Sequence, residues 1–169
     1  MTVRRRVLAM VGASLIALAL PPAAAIAADP ALLAQGAEAV DICARHMPDI
    51  RDTKAALAEA GFRLDESTGT LHAYTRTGFR VVVGVTTPSA QNPACVVLVS
   101  HMTPAEARRL MQPWIRAAHA VPARDARRAY SHVHAGRLNG HPVLLGVIDH
   151  MELKSVRGAA VIAAGLDER

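Results

Sequence analysis

The sequence predicts an α+β domain: a mostly antiparallel β-sheet of about five to seven strands, with two or three helices packed on one face. Three features point there. Two capped helical segments come first, apolar runs of period two joined by tight turns follow, and a further capped helix splits those runs into two sets.

Asp29 as N-cap and Pro30 at the first helical position open a helix running to about Arg45, and Pro48 ends it. Its expected apolar stripe is Leu33, Ala37, Val40, Cys43 and Met47. Asp49 caps a second helix from Ile50 to Ala60, with Gly61 as its stop. From there the pattern switches to strand. Thr70–Arg76 and Phe79–Thr87 flank a tight turn at Thr77-Gly78, and Phe79, Val81, Val83 and Val85 share one face of the second. Ala94–Ser100 is nearly all apolar, as a central strand would be.

Thr103, Pro104 and Glu106 form a capping box that starts a third helix, which Pro113 is expected to kink or end before Trp114. A basic connector, Pro122 to Arg128, leads to strands Tyr130–Leu138 and His141–His150 around Asn139-Gly140. That dipeptide suits a type I′ turn, whose two central residues both need positive φ. For Val156–Ala164 the periodicity does not choose between strand and short helix.

The N-terminus reads as an export signal. Arg4, Arg5 and Arg6 precede an apolar run from Val7 to Leu20, Pro21 and Pro22 break it, and Ala25-Ile26-Ala27 is an A-x-A cleavage site. The run is too short to cross ~30 Å of hydrocarbon, which takes about 20 residues. Cleavage after Ala27 would leave residues 28–169 as a single α+β domain, periplasmic or secreted, with no transmembrane span. Both cysteines, Cys43 and Cys95, survive that cleavage. In an oxidising compartment an even pair on two apolar faces is most simply one disulfide.

The chain has 169 residues, 51% hydrophobic and 20% charged, with a formal charge of +5. Three of its 19 basic residues belong to the signal, leaving 16 against 14 acidic residues beyond it. That balance excludes disorder and a polybasic nucleic-acid binder. Aromatics are 3% of the chain, too few for the stacking platforms of single-strand binders.

Candidate sites come from two residue types. His132 and His134 have a metal-ligand spacing and would point to one face of a strand, a start towards a zinc or copper site. In the Asn139-Gly140 hairpin, His134 pairs with Leu145 and Leu138 with His141, so His141 lies roughly 13 Å away and a third ligand must come from elsewhere. The competing expectation is ordinary hydrogen-bonded histidines. Arg108, Arg109 and Arg116 on the third helix, with Arg124, Arg127 and Arg128 after it, form a potential anion-binding surface for lipid headgroups or a polymer. Its plainer reading is a solvated helix face. Catalytic signatures are absent: no nucleophile elbow, no H-E-x-x-H, no phosphate-binding glycine loop. Asp65 and Glu66 would diverge in an extended strand. The resulting reading is an exported, non-catalytic domain that binds a protein or small ligand through a face or edge of its sheet. The alternative is a metal-binding protein or metal-dependent enzyme using His132 and His134.

Overall fold

A computed structural model describes residues 27–68, 70–86, 92–124 and 130–166. The first helix, α1 (Pro30–His46), starts where Asp29 accepts the Ala31 N–H at 2.8 Å. Asp49 caps α2 (Ile50–Glu59) by accepting the Asp52 N–H at 2.9 Å. Four strands follow: β1 (Arg63–Thr68), β2 (Leu71–Arg76), β3 (Val81–Thr86) and β4 (Ala94–Val99). Then come α3 (Pro104–Ala117), β5 (Val121–Pro122), β6 (Ser131–Leu138), β7 (His141–Leu153) and β8 (Val156–Gly165).

The order across the sheet is β1-β2-β3-β4-β8-β7-β6-β5, antiparallel throughout. Helical structure followed by a four-strand meander therefore occurs twice, and the last strand of each meander pairs with the other at the centre. The strand count is eight, slightly above the expected range. The two additions are β1 and β5, and both lie at an edge. An edge strand can be held by backbone pairing alone, so neither needs the apolar alternation that marks a buried strand.

The helices pack on one face, against Val81, Val83, Val85, Val97, Val99, Leu145, Val147, Val161 and Ala163. The buried stripe of α1 is Leu32, Gly36, Ala39, Val40, Cys43 and Met47, rotated from the expected one; Ala37 is exposed. Gly36 sets that rotation. A Cβ there would lie 2.7 Å from Val99 Cγ2, so the helix comes closer to the sheet than any side chain allows. Cys43 and Cys95, both fully buried, are joined in a disulfide with Cα atoms 6.3 Å apart, tying α1 to β4.

The third helix continues through Pro113 rather than ending there. Proline removes one backbone bond, whereas ending the helix would uncover Trp114, whose indole N–H donates to the Val40 carbonyl of α1. Burial of Ala107, Met111, Trp114 and Ala118 on one stripe outweighs that loss. At Asn139-Gly140 both φ angles are positive, with Leu138 opposite His141 as the turn type requires. Asn139 also donates to the Arg45 and Met47 carbonyls, at 3.0 and 2.6 Å, closing the end of α1.

The opposite face of the sheet carries a smaller core of Ala73, Val82, Leu98, Val156 and Ala160, flanked by Ile148, Met151 and Leu153. A register shift between Ile148 and Met151 bends the β7–β8 hairpin, and its tip residue Lys154 reaches Asp65 and Glu66 of β1. Residues 156–164 are strand. Among the described residues no helix is long and apolar enough to cross a membrane. Of the expected signal, residues 1–27, all but Ala27 lie outside the described residues.

Candidate binding groove

The edge strand β1 has the sequence Arg-Leu-Asp-Glu-Ser-Thr, with one apolar side chain among polar ones. Leu64 lies opposite Tyr74, and a register shift between Leu64 and Glu66 interrupts the alternation there. Asp65 and Glu66 were expected to diverge. The irregularity instead lets both carboxylates meet Lys154, Asp65 at 3.3 Å and Glu66 closer still. The hydrogen bonds that Lys154 donates, to Glu66 first and then to Asp65, hold its ammonium above the usual lysine range.

Between the start of β1 and the β2–β3 turn lies an open groove of about 540 Å³. Its walls include Arg63, Leu64, Thr75, Arg76 and Phe79. Leu64 is 53% exposed and Phe79 45%, large fractions for side chains of this size. Phe79 does not join the Val81 face as the alternation suggests. It sits in the Thr77–Arg80 turn at φ 66, which carries it out of β3.

The groove is pinned to the domain from behind. Arg76 donates to Glu38 of α1 at 2.6 Å, and its guanidinium lies 5.5 Å from the centre of the buried Phe62 ring. Thr77 donates to Gln35 of α1 at 2.8 Å. Arg63 is exposed and pairs with no described residue. The result is a pre-positioned rim: the guanidinium groups of Arg76 and Arg63, two apolar side chains and the backbone edge of β1, unpaired among the described residues. Such a rim can pair with an extended chain through the backbone while offering apolar contact and a carboxylate partner.

Comparison of the chain with known families, curated proteins and solved structures gave no significant match. Only the geometry speaks to function.

The histidines do not assemble as the His-x-His spacing suggests. A register shift between Ser131 and His134, with His132 at φ 49, breaks the strand alternation that would aim both rings to one side. His132 Nε2 lies 2.6 Å from Arg108 Nη1 and, since a guanidinium only donates, takes the acceptor role in that contact. His134 Nδ1 is 3.0 Å from the His132 carbonyl and donates to it. The pairings of His134 with Leu145 and Leu138 with His141 are as expected. Among the described residues no three His, Cys, Asp or Glu side chains lie close enough to hold a metal.

The arginine surface is also reduced. Arg108 is turned to His132, and the buried Glu106 of the capping box attracts Arg109. Arg109 and Arg116 remain exposed two turns apart on α3, and Arg124 is exposed beyond it. Arg127 and Arg128 lie outside the described residues. Of the groove residues only Asp65 was weighed from the sequence, as half of an acidic pair. The available signal was Leu64, one apolar residue stranded in a charged segment, which reads equally well as a loop.

Proposed function

We propose that this chain is an exported, non-catalytic binding domain whose β1 edge and adjoining groove take an extended segment of a partner polypeptide. One observation carries the reading: Leu64 and Phe79 stand exposed at a rigidly backed groove beside Arg63, which pairs with no described residue. Exposed apolar side chains grouped at an edge strand are an aggregation hazard unless a partner covers them. Asp65, which also lines the groove, and Glu66 both meet Lys154, and Arg76 is held by Glu38, so Arg63 is the groove cation with no carboxylate partner among the described residues. The chosen occupant is therefore a strand with an apolar side chain flanked by a carboxylate. The disulfide agrees with export, since such bonds persist in oxidising compartments.

Display selection of random peptides on the processed protein tests this. Selected peptides are expected to share an apolar residue beside an acidic one. Arg63→Glu and Leu64→Asp should each weaken binding by about tenfold or more. Selection of no common pattern, or binding indifferent to both substitutions, overturns the proposal. A concentration-dependent dimer that Leu64→Asp abolishes would assign the groove to a second copy instead.

A further inference from the structure

Lys154 and Ser155 form the two-residue tip of the β7–β8 hairpin, where Leu153 pairs with Val156. Their φ angles are 54 and 64, a left-handed turn of the kind that Asn139-Gly140 also makes. Such a turn favours asparagine and glycine, and nothing in its backbone asks for lysine. What the lysine supplies is its ammonium. The tip is held in place by Val156, which packs in the second core with Ala73, Val82 and Leu98. From there Lys154 meets the Asp65 carboxylate at 3.3 Å and that of Glu66. Among the described residues Asp65 is the one carboxylate in the groove wall, which Lys154 itself does not line.

We infer that Lys154 is a specificity-determining residue of the groove: by neutralising the carboxylates of β1 from outside, it reserves Arg63 for an acidic side chain of the bound strand. The inference rests on the reading of the groove as a peptide-binding edge.

The charges around the groove carry the argument. Arg63, Arg76 and Lys154 balance Glu38, Asp65 and Glu66. Glu152 and Arg157, on the strands that flank the tip, pair with each other at 2.8 Å and leave the balance unchanged. Without Lys154 the set carries one net negative charge, and the Asp65 carboxylate stands in the groove wall two residues from Arg63. An incoming carboxylate is then repelled along β1, and an incoming ammonium is attracted. Asp65 has only 24% of its side chain exposed, so solvent and salt screen it incompletely. At roughly 10 Å and an effective dielectric constant of about 40, one charge alters the affinity of a singly charged partner about fourfold.

The test compares two peptides on the processed protein: one obtained by display selection, and its counterpart with lysine in place of the acidic residue. The parent should prefer the acidic peptide. In Lys154→Met that preference should fall about 15-fold, from a roughly fourfold loss for one peptide and a fourfold gain for the other. Lys154→Arg keeps the cation and should keep the preference. Glu66→Gln removes a carboxylate at a partly exposed position outside the groove wall, and should move the preference the opposite way. Loosening of β1 alone would weaken both peptides alike and leave their ratio unchanged. A parent preference that survives both Lys154→Met and Glu66→Gln therefore overturns the role of Lys154 while leaving the groove standing. A parent that does not discriminate between the peptides overturns the charge reading of the groove, and the role of Lys154 with it.

Discussion

Breaking the Cys43–Cys95 bond isolates a stabilisation acting mainly on the unfolded chain. The cysteines are 52 residues apart, and both are fully buried. Loop-closure entropy for a loop of that length gives about 4 kcal/mol at 25 °C, taking the chain-entropy account at face value. For a domain of this size that corresponds to a fall in melting temperature of roughly 8–16 °C. Reduction is the cleanest perturbation because it leaves every side chain in place. The bond lies under α1, so reductant reaches it when the protein is unfolded in urea; refolding under reductant then gives the comparison. Urea unfolding of oxidised and reduced protein should show the loss as a lower midpoint, with native spectra unchanged below it. A difference under about 1 kcal/mol, or two reactive thiols in unfolded, unreduced protein, would refute the reasoning.

Gly158→Ala should destabilise by about 2–3 kcal/mol, because its Cβ would sit 2.7 Å from the Val99 carbonyl and 2.9 Å from the Met102 nitrogen. Urea unfolding checks it, and an unchanged midpoint would mean the β4–α3 segment yields freely over β8. His72 predicts acid sensitivity. Burial and then the neighbouring Lys54 lower its pKa, and its Nδ1 has no partner. The folded state resists protonation while the unfolded state accepts it near pH 6.5, so stability falls as pH drops below that value. His72→Gln should flatten the decline between pH 7.5 and 5, and an unchanged slope would acquit His72. Leu64→Asp should leave folding stability within about 0.5 kcal/mol of the parent, since Leu64 is 53% exposed. A large loss would make Leu64 a structural residue and remove it from the groove.

What could be read from the sequence was whatever depends on local chemistry. Thr103, Pro104 and Glu106 announce α3 because capping needs those side chains at that spacing. Asn139-Gly140 announces its hairpin because positive φ at both positions admits few residues. The Val81–Val85 alternation and the Cys43–Cys95 bond were visible because Val81, Val83, Val85, Cys43 and Cys95 all belong to the main core. The errors share a different cause. Gly36 carries no apolar signal, yet its contact with Val99 sets the rotation of α1. Pro113 was overruled by Trp114, whose burial depends on a helix far away in sequence. Lys154 joins Asp65 and Glu66 only because the β7–β8 hairpin bends. The groove belongs to this second group. It needs β1, the Thr77–Arg80 turn and α1 brought together, and no local pattern records that meeting.

The most direct test of the groove as a binding site is amide chemical-shift mapping on the processed protein, titrated with a peptide from the display selection. The account predicts saturable shifts along β1 and through the Thr77–Arg80 turn, with slowed hydrogen exchange of the outward amides of β1 as the peptide pairs with them. Shifts centred on β5 and β6 or on the helices, with β1 unmoved, would contradict it.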